Sequence, residues 1–280
     1  MIFNHIKYGN GKPILLIHGI GGSWRSWLPI IGGLAAHREI IAIDLPGHGK
    51  TPALKGETTI ATLADAVTQF LDANDLRGID AVGSSMGARL VLELVRRGDI
   101  LGSVVSLDPG GFWEGLQTHI FYGSIALSVR LVRVLNSIDF LDAFTEHDIS
   151  RSILMAQFSS HPSQLSSKLV YDELRGYATS SVFDELLSSL AYGEKQKGLT
   201  EGAIKKPLVI GWGRKDKVCF PGQADKALEL FPDAILYWFD DCGHFPQWDK
   251  PAETVDLILM ATGNYQMERT AEVEVWQSAE

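Results

Sequence analysis

The sequence feature that most constrains the fold is an alternation of short apolar runs with longer helical patterns. Six runs are predicted to be strands, at 14–17, 40–43, 79–82, 104–107, 208–210 and 235–239. Each is nearly continuous in apolar side chains, as expected for a strand buried on both faces of a parallel sheet. Helical patterns are interspersed with these runs, at 59–73, 86–97, 221–230 and 251–260. The alternation predicts an α/β fold with a mostly parallel central sheet flanked by helices.

The alternation breaks between residues 112 and 199. This stretch has helix-like apolar spacing, little clustering of β-branched residues and serine-rich joints such as 159–163. A connection this long is uncommon as a plain loop in a compact domain and usually carries function. We therefore predict a helical cap over 112–199, inserted into a core formed by 1–111 and 200–263. The polar, acidic stretch 264–280 lacks a clear core face, which is typical of a disordered tail.

Charge and composition exclude several classes of function. The 280-residue chain has a net charge of −9 and no basic run longer than Lys205-Lys206, whereas a nucleic-acid partner would normally leave a basic stripe. The longest apolar segment, 120–141, contains Arg130, Arg133 and Asp139, which argues against a membrane span. The first residues lack the pattern of a signal peptide, and two cysteines make no disulfide framework. We expect a cytoplasmic protein without a membrane span.

A G-x-S-x-G motif, GSSMG at 83–87, follows the third predicted strand. The motif alone is weak, because a chain rich in glycine and serine can produce it by chance. Its setting between the strand 79–82 and a helix beginning at Met86 is the arrangement that places a serine at a strained, exposed turn. The frame selects Ser85 as the nucleophile and leaves Ser84 outside the motif's serine position.

A serine hydroxyl needs a base to take its proton, and the base needs an acid behind it. Of the eight histidines, His244 follows the strand 235–239 and lies at the carboxyl edge of the sheet, where Ser85 is also expected. Asp216 follows the strand 208–210 at the same edge. Asp108 is the rival acid, although the Pro-Gly-Gly that follows it favours a role in a turn. The predicted triad is Ser85, Asp216 and His244.

The developing oxyanion needs preorganised donors. The glycine-bearing sequence HGIGG at 18–22 comes just after the first predicted strand, and we predict the backbone N–H groups of Ile20 and Met86 as the two donors. The alternative is a glycine-rich turn without a catalytic role. This chemistry implies no metal and no organic cofactor.

The chain resembles the α/β-hydrolase superfamily over about residues 4 to 263. Five motifs carry the resemblance in the expected order: HG at 18–19, DLPGHG at 44–49, GSSMG at 83–87, GRKD at 213–216 and GH at 243–244. The resemblance implies the α/β-hydrolase fold with the triad in the order Ser, Asp, His. Haloalkane dehalogenases and epoxide hydrolases of this superfamily carry an aspartate nucleophile, so Ser85 excludes them.

The segment CGHFPQW at 242–248 is similar to that of carbon–carbon hydrolases that act on ring-cleavage products, and to that of many carboxylesterases. The cap arginine that those carbon–carbon hydrolases use has no definite counterpart here. The leading hypothesis is hydrolysis of small to medium, mainly apolar carboxylic esters through an acyl-enzyme on Ser85. Carbon–carbon hydrolysis and lactone opening remain alternatives, and a small-ligand receptor on a hydrolase fold is the non-enzyme alternative. A small-molecule ester is the predicted partner, and the oligomeric state stays open.

Three residues are predicted to line the substrate pocket: Trp248, Phe121 and Leu131. Trp248 could equally be an aromatic that packs against a helix. The segment 120–141 offers more apolar side chains than one helix face needs for docking. Either all of them pack against the core and the other cap helices, or some of them roof the cleft over Ser85.

Overall fold

A computed structural model describes residues 3–263 of the chain. Its sheet has seven strands in the order β1-β3-β2-β4-β5-β6-β7. The strands are β1 (His5–Tyr8), β2 (Pro13–Ile17), β3 (Glu39–Ile43), β4 (Ile79–Ser84), β5 (Leu101–Leu107), β6 (Leu208–Gly213) and β7 (Ile235–Phe239). β1 pairs antiparallel with β3, and all other neighbours are parallel. The predicted fold class is confirmed.

Two apolar layers cover the faces of this sheet. One face packs against α1 (Leu28–Ala35) and α11 (Pro251–Thr262), and the other packs against α2 (Ile60–Ala73), α3 (Met86–Arg96) and α9 (Ala224–Leu230). A short helix, α10 (Pro246–Asp249), precedes α11. Alternate side chains of the strands enter opposite layers, so that Leu15 and Ile17 lie on one side and Ile14 and Leu16 on the other. The six parallel strands, β2 to β7, are therefore apolar at most positions.

Two core elements were not predicted from the sequence. β1 has only four residues, HIKY, and its outer end is exposed, so it carries no continuous apolar run. α1 contains Pro29, Gly32 and Gly33, which weaken a helical pattern. Burial of Ile30 and Leu34 against the sheet stabilises this helix in spite of its composition.

Five helices lie between β5 and β6, in what we call the cap segment, residues 112–199. They are α4 (Leu116–Ser137), α5 (Leu141–Glu146), α6 (Asp148–Met155), α7 (Ser167–Thr179) and α8 (Phe183–Tyr192). α4 packs against α7 and α8. Whether this segment behaves as a separate cap domain stays a prediction.

A buried arginine attaches the cap segment to the core directly behind the G-x-S-x-G motif. Arg89 of α3 is 3% exposed, and its guanidinium donates to the carbonyls of Leu190 and Glu194 at the end of α8. A cation at a helix C-terminus also meets the negative end of the helix dipole. The helix that carries the motif therefore also holds the last helix of the cap segment.

None of the helices within residues 3–263 is long and apolar enough to cross a membrane. The 22-residue helix α4 is long enough, but it carries Arg130 and Arg133. The predicted tail, 264–280, lies outside the described residues.

Candidate active site

The turn between β4 and α3 places Ser85 in a backbone conformation that few side chains adopt. Its φ is 58° and its ψ is −115°, outside the main allowed regions for a residue with a Cβ. The Ser85 N–H donates to the carbonyl of Leu107 at 2.9 Å, and its carbonyl accepts from Arg89 in the first turn of α3. Neighbouring strand and helix thus hold the strained residue in place, as expected for strain that persists at a functional site.

The two glycines of the motif are required by close backbone contacts. A Cβ on Gly83 would lie 2.2 Å from the carbonyl oxygen of Gly87, and a Cβ on Gly87 would lie 2.2 Å from that of Ile17. Either methyl group would push α3 away from the sheet. The G-x-S-x-G spacing therefore reflects the tight crossing of helix over strand.

His244 lies between Ser85 and Asp216, and all three side chains are within hydrogen-bond distance. Its Nε2 is 2.8 Å from the Ser85 Oγ, and its Nδ1 is 2.8 Å from the Asp216 Oδ2. The second carboxylate oxygen of Asp216 accepts from the N–H groups of Val218 and Cys219 at 2.7 and 3.0 Å. His244 and Asp216 are buried. The geometry is that of a nucleophile, a base and an orienting carboxylate.

Asp108 lies close to this group but is bonded differently. One of its carboxyl oxygens accepts from the Gly213 N–H at 2.8 Å. Burial, followed by the negative charge of Asp216, raises the pKa of Asp108 well above its usual range. A neutral carboxyl stabilises an imidazolium less than an ionised one does. The structure places Asp216, and not Asp108, on the Nδ1 of His244.

Ser84 points away from the base. Its hydroxyl accepts from the side-chain amide of Gln247 at 3.0 Å, and it is 1% exposed. The two adjacent serines are therefore separated by the alternation of side chains at the strand end. The structure brings only Ser85 to His244.

The loop of His244 is tied to the cap segment. The His244 N–H donates to the carbonyl of Phe158 at 2.8 Å. The Asp249 carboxylate accepts from the N–H groups of Gly243 and Ser160 at 2.7 and 2.8 Å, and from the hydroxyl of Ser159. The serine-rich joint noted in the sequence thus helps to fix the position of the base.

The glycine-bearing loop after β2 lies beside the nucleophile. A Cβ on Gly19 would lie 3.6 Å from the Ser85 Oγ, and Ile20, Ser85 and Met86 line one cavity. Within residues 3–263, the N–H groups of Ile20 and Met86 donate to no other residue. Two unused donors beside a serine hydroxyl are what an oxyanion hole requires.

His18 supports this loop and is a neutral imidazole. The Leu45 N–H donates to its Nε2 at 3.0 Å, so its proton is on Nδ1, which donates to the Gly19 carbonyl at 2.7 Å. Burial lowers the pKa of His18, only partly opposed by the charge of Asp44. The motif at 44–49 therefore contacts the motif at 18–22, which explains their joint presence.

The cavity above Ser85 is almost entirely apolar. The residues that line it are Ile20, Ser85, Met86, Gly110, Trp113, Phe121, Ile125, Phe158, Tyr177, Phe183, Leu190, Val218, His244 and Phe245. Trp113 and Phe121 stack with their ring centroids 3.7 Å apart. The free space is about 20 Å³, which is room for roughly one water molecule. An acyl group is larger, so cap side chains must move to admit one.

The structure places only one of the three predicted pocket residues in this cavity. Phe121 lines it, whereas Leu131 is 49% exposed on the outer side of α4. Trp248 is buried beside the cavity: its indole N–H donates to the Ser26 carbonyl at 2.8 Å, and its ring packs on Phe245 at 4.1 Å. The predictions for Leu131 and Trp248 are therefore corrected. α4 turns Leu131 away from the core, and Trp248 supports Phe245 instead of lining the cavity.

Most of the aromatic and aliphatic residues that line the cavity were not predicted from the sequence. Trp113, Phe158, Tyr177, Phe183 and Leu190 belong to four separate parts of the cap segment. No local spacing connects them, because they meet only when α7 and α8 fold over the loop after β5. Sequence patterning shows that each is apolar but not which ones share a space.

One group of metal-ligand side chains lies within the described chain, and it overlaps the triad. Donor atoms of Asp216, Cys219 and His244 lie within 4.8 Å of one another. Both ring nitrogens of His244 are already bonded, to Ser85 and Asp216. Burial also raises the pKa of the Cys219 thiol well above its usual range, whereas a metal needs the thiolate. The arrangement suits proton transfer better than ligation.

A buried carboxyl, Glu173 of α7, lies beside the loop at 18–27, which follows β2. It is 5% exposed and accepts from the Ser26 hydroxyl at 2.6 Å. Burial raises its pKa from the ordinary 4.5 to about 7, opposed by hydrogen bonds from Ser26 and Tyr177, and the negative charge of Asp172 adds to the rise. Arg25, from the turn that carries Ser26, pairs with Asp172 at 3.8 Å rather than with Glu173.

No basic side chain of the helices packed against α7 neutralises Glu173 within the described residues. Arg133 of α4 pairs with Asp184, and Arg151 of α6 pairs with Asp148. On the far side of Gly22, His18 is kept neutral by burial. Glu173 is therefore a carboxyl held largely by neutral partners.

The raised pKa of Glu173 predicts a loss of stability with rising pH. The unfolded chain releases this proton near pH 4.5, and the folded chain releases it only near pH 7. The free energy of unfolding should therefore fall between these values and stay lowered above them, by up to about 3 kcal/mol. Glu173→Gln removes the titration, so its stability relative to the wild type should rise between pH 5 and pH 8 in urea denaturation. Asp142→Asn, at an exposed carboxyl of the same segment, serves as control. Equal effects of Glu173→Gln at both pH values would contradict the assignment.

The fold of this chain has a counterpart among known proteins. Residues 12–251 match the family model of the alpha/beta hydrolase fold. The chain belongs to the alpha/beta hydrolase fold family. The resemblance predicted from the five motifs is confirmed, and hydrolysis is the activity that the family supports.

Two curated relatives illustrate the range of this hydrolase family. One is a dihydrolipoyllysine-residue acetyltransferase component of an acetoin cleaving system from Cupriavidus necator, 28% identical over 92% of this chain and 65% of its own length. This chain thus spans less than two thirds of that relative. Another is a 2-hydroxy-6-oxo-6-(2'-aminophenyl)hexa-2,4-dienoic acid hydrolase from Metapseudomonas resinovorans, 27% identical over 91% of this chain and 85% of the relative.

Among solved structures, an esterase from Thermogutta terrifontis superposes with a TM-score of 0.68. It is 18% identical in sequence, and the match covers 91% of each chain. At this identity the likeness shows the shared fold.

Proposed function

We propose that this hydrolase cleaves carboxylic esters of small to medium, mainly apolar substrates through an acyl-enzyme on Ser85. Ser85 attacks the ester carbonyl while His244 takes its proton, and the carbonyl oxygen becomes an oxyanion held by the N–H groups of Ile20 and Met86. His244 then returns the proton to the leaving alcohol. A water molecule, activated by the same base, releases the acid and restores the serine.

The single observation that carries the ester proposal is the chemical character of the cavity. No lysine or arginine is among its lining residues in the described chain, and its only titratable side chains are His244 and Tyr177. An anionic substrate would be buried there without a counter-ion, which is strongly unfavourable. Neutral acyl and aryl groups gain from burial against the aromatic wall. The apolar lining therefore favours an uncharged ester.

A series of nitrophenyl esters tests this proposal. From acetyl to butyryl, hexanoyl and octanoyl, kcat/KM should rise about fourfold per methylene until the cavity is full, because each buried CH₂ is worth about 0.8 kcal/mol. A monoester with a carboxylate at the end of its acyl chain should react far more slowly than its neutral methyl-capped counterpart. A flat series, or a preference for the anionic ester, would contradict the apolar pocket.

Two variants on the same helix show whether α4 sets the acyl length. Phe121→Ala enlarges the cavity, so the preferred acyl chain should lengthen by two or more carbons. Leu131→Ala is the matched control, because this side chain points outward, and it should leave the preference unchanged. A shift caused by Leu131→Ala but not by Phe121→Ala would place the pocket on the other side of the helix.

Carbon–carbon hydrolysis is the second candidate, because a relative that spans most of this chain is a dienoic acid hydrolase. The same triad and oxyanion hole would serve it. Such a substrate is an acid, as its name states, and so carries a carboxylate. Among the described residues that line the cavity there is no lysine or arginine to pair with it. Turnover of a dienoic acid of this class faster than of any neutral ester would favour this candidate.

The non-enzyme alternative is a small-ligand receptor on a hydrolase fold. It does not require His244 to be bonded to both Ser85 and Asp216, as it is here. Covalent labelling by a fluorophosphonate distinguishes the two, since it needs an activated serine. Absence of labelling and of ester turnover would leave the receptor as the better reading.

A further inference from the structure

The contact between cap helix α7 and the loop at 18–27 is closer than ordinary helix packing. A Cβ on Gly176 would lie 2.1 Å from the Gly21 carbonyl oxygen, and a Cβ on Gly21 would lie 2.4 Å from the ring of Tyr177. The two backbones can approach this far only because both residues are glycine. The predicted oxyanion donor Ile20 is next to Gly21 in this loop. Its position therefore depends on where α7 lies.

Glu173, one turn before Gly176 on the same helix, supplies the polar part of this contact. Its Oε2 accepts from the Ser26 hydroxyl at 2.6 Å, and its Oε1 lies 3.1 Å from where a Cβ on Gly22 would be. Tyr177, a cavity residue, neighbours this carboxyl: burial, and then the charge of Glu173, raise the pKa of its hydroxyl well above the usual range. One buried carboxyl thus lies between the far end of the loop and the cavity wall.

The core holds the loop at 18–27 at both ends, and at Trp24, whose N–H donates to the Asp44 carboxylate at 2.9 Å. His18 fixes Gly19 from the core side, through its bonds to the Gly19 carbonyl and the Leu45 N–H. At the other end, the Ser26 carbonyl is held by the indole of Trp248. Between Gly19 and Trp24, Gly21 lies against Tyr177 of α7 and Phe183 of α8, and Gly22 lies against Glu173 of α7. The segment that carries the Ile20 N–H is therefore completed by the cap segment.

We propose that Glu173 is a positioning residue for the oxyanion hole: through Ser26, it holds the loop at 18–27 against α7 and aims the Ile20 N–H at the substrate carbonyl. Docking of the cap segment and completion of the oxyanion hole are then a single event. A cap displaced by an entering substrate would leave the hole incomplete until α7 returns over the bound acyl group.

A positioning role explains why a carboxyl is present at a site where burial raises its pKa. A buried carboxyl without a cation destabilises the fold above neutral pH. An apolar side chain of the same size would avoid this penalty but could not accept from Ser26. Retention of stability-lowering groups at sites that need a defined geometry is a common trade-off.

The test rests on the proposed function for its kinetic part only, and it uses the whole chain. The variants are Glu173→Ala, Glu173→Met, which fills the space without accepting hydrogen bonds, and Glu173→Gln, which can still accept one. Arg175→Ala, an exposed position on the same helix, is the matched control. Hydrogen exchange of peptides within 18–27 reports on the loop directly and needs no activity.

Glu173→Ala and Glu173→Met should raise exchange in 18–27, and Glu173→Gln and Arg175→Ala should not. In ester hydrolysis, the first two should lower kcat roughly 10- to 100-fold, less than complete removal of an oxyanion donor does. Affinity for a trifluoromethyl ketone, whose adduct on the serine carries an oxyanion, should fall in parallel. The KM should change less than threefold, whereas a purely structural loosening of the cap would mainly raise it.

Unchanged exchange in 18–27 for both Glu173→Ala and Glu173→Met would overturn the proposal, as would a rise in KM with unaltered ketone affinity. If Glu173→Ala does not fold, Glu173→Met alone decides. Should the wild type hydrolyse no ester and bind no fluorophosphonate, the proposed function fails, while the exchange result still decides the role of Glu173.

Discussion

Ser85→Ala is expected to abolish ester turnover and fluorophosphonate labelling. In a well-studied serine protease, loss of the nucleophile lowers kcat about 10⁶-fold, and the Ser85 hydroxyl is the only one bonded to His244 in the described chain. The free energy of unfolding should change little, because the substitution removes one oxygen and keeps the Cβ in the same strained turn. Initial rates with a nitrophenyl ester, gel detection of the labelled protein and thermal denaturation measure the three effects.

Ser84→Ala is the matched control one residue earlier. This hydroxyl accepts from Gln247 and not from His244, so its loss leaves one buried amide donor without a partner, which costs about 1–3 kcal/mol of stability. Activity should remain within a few-fold of the wild type. An inactive Ser84→Ala beside an active Ser85→Ala would show that the motif frame is wrong.

Asp216→Asn should have the second largest effect, a loss of about 10⁴-fold in kcat, as for the equivalent change in a serine protease. The amide no longer offers His244 Nδ1 a charged acceptor, so the imidazole tautomer and the stability of the imidazolium both suffer. The measurement is kcat in single-turnover acylation, which separates the chemical step from substrate binding.

Asp108→Asn isolates the contribution of the neighbouring carboxyl. Burial, and then the charge of Asp216, raise the pKa of Asp108, and an amide keeps an oxygen for the Gly213 N–H. A decrease in kcat below about tenfold is expected, since Asp108 is not bonded to His244. A larger loss for Asp108→Asn than for Asp216→Asn would assign the acid to the end of β5.

Much of the core could be predicted because its signals are local. The strands at 14–17, 40–43, 79–82, 104–107, 208–210 and 235–239 all lie within observed strands, since burial on both faces demands apolar residues at every position. The helix predicted at 221–230 begins instead with a 3-10 turn, Pro221–Gln223, before α9. The short edge strand β1 and the glycine-bearing α1 lacked such a signal.

Three of the site residues were recognisable for the same reason. Ser85, Asp216 and His244 each follow a strand of a parallel sheet. The carboxyl ends of such strands share one edge, whatever the conformation of the loops that follow them. Sequence therefore predicts that these side chains meet. It does not predict their distances, which depend on bonds such as those from Val218 to Asp216 and from His244 to Phe158.

The residues that line the cavity could not be predicted from local signals. Phe121 and Leu131 are ten residues apart on one apolar helix, yet one lines the cavity and the other is half exposed. Composition and spacing show that α4 is apolar on more than one face, but they cannot show which face meets the core. That choice depends on how α4 packs against α7 and α8.

By itself the sequence determined the fold class and predicted a serine, a base and an acid at one edge of the sheet, because continuous apolar runs and glycine-dependent turns act over a few residues. Only the tertiary structure decided the ionisation of Asp108 and Glu173, the outward position of Leu131, and the contact of α7 with the loop at 18–27. These depend on desolvation and on packing between segments that are far apart in the sequence, which a linear residue pattern does not record.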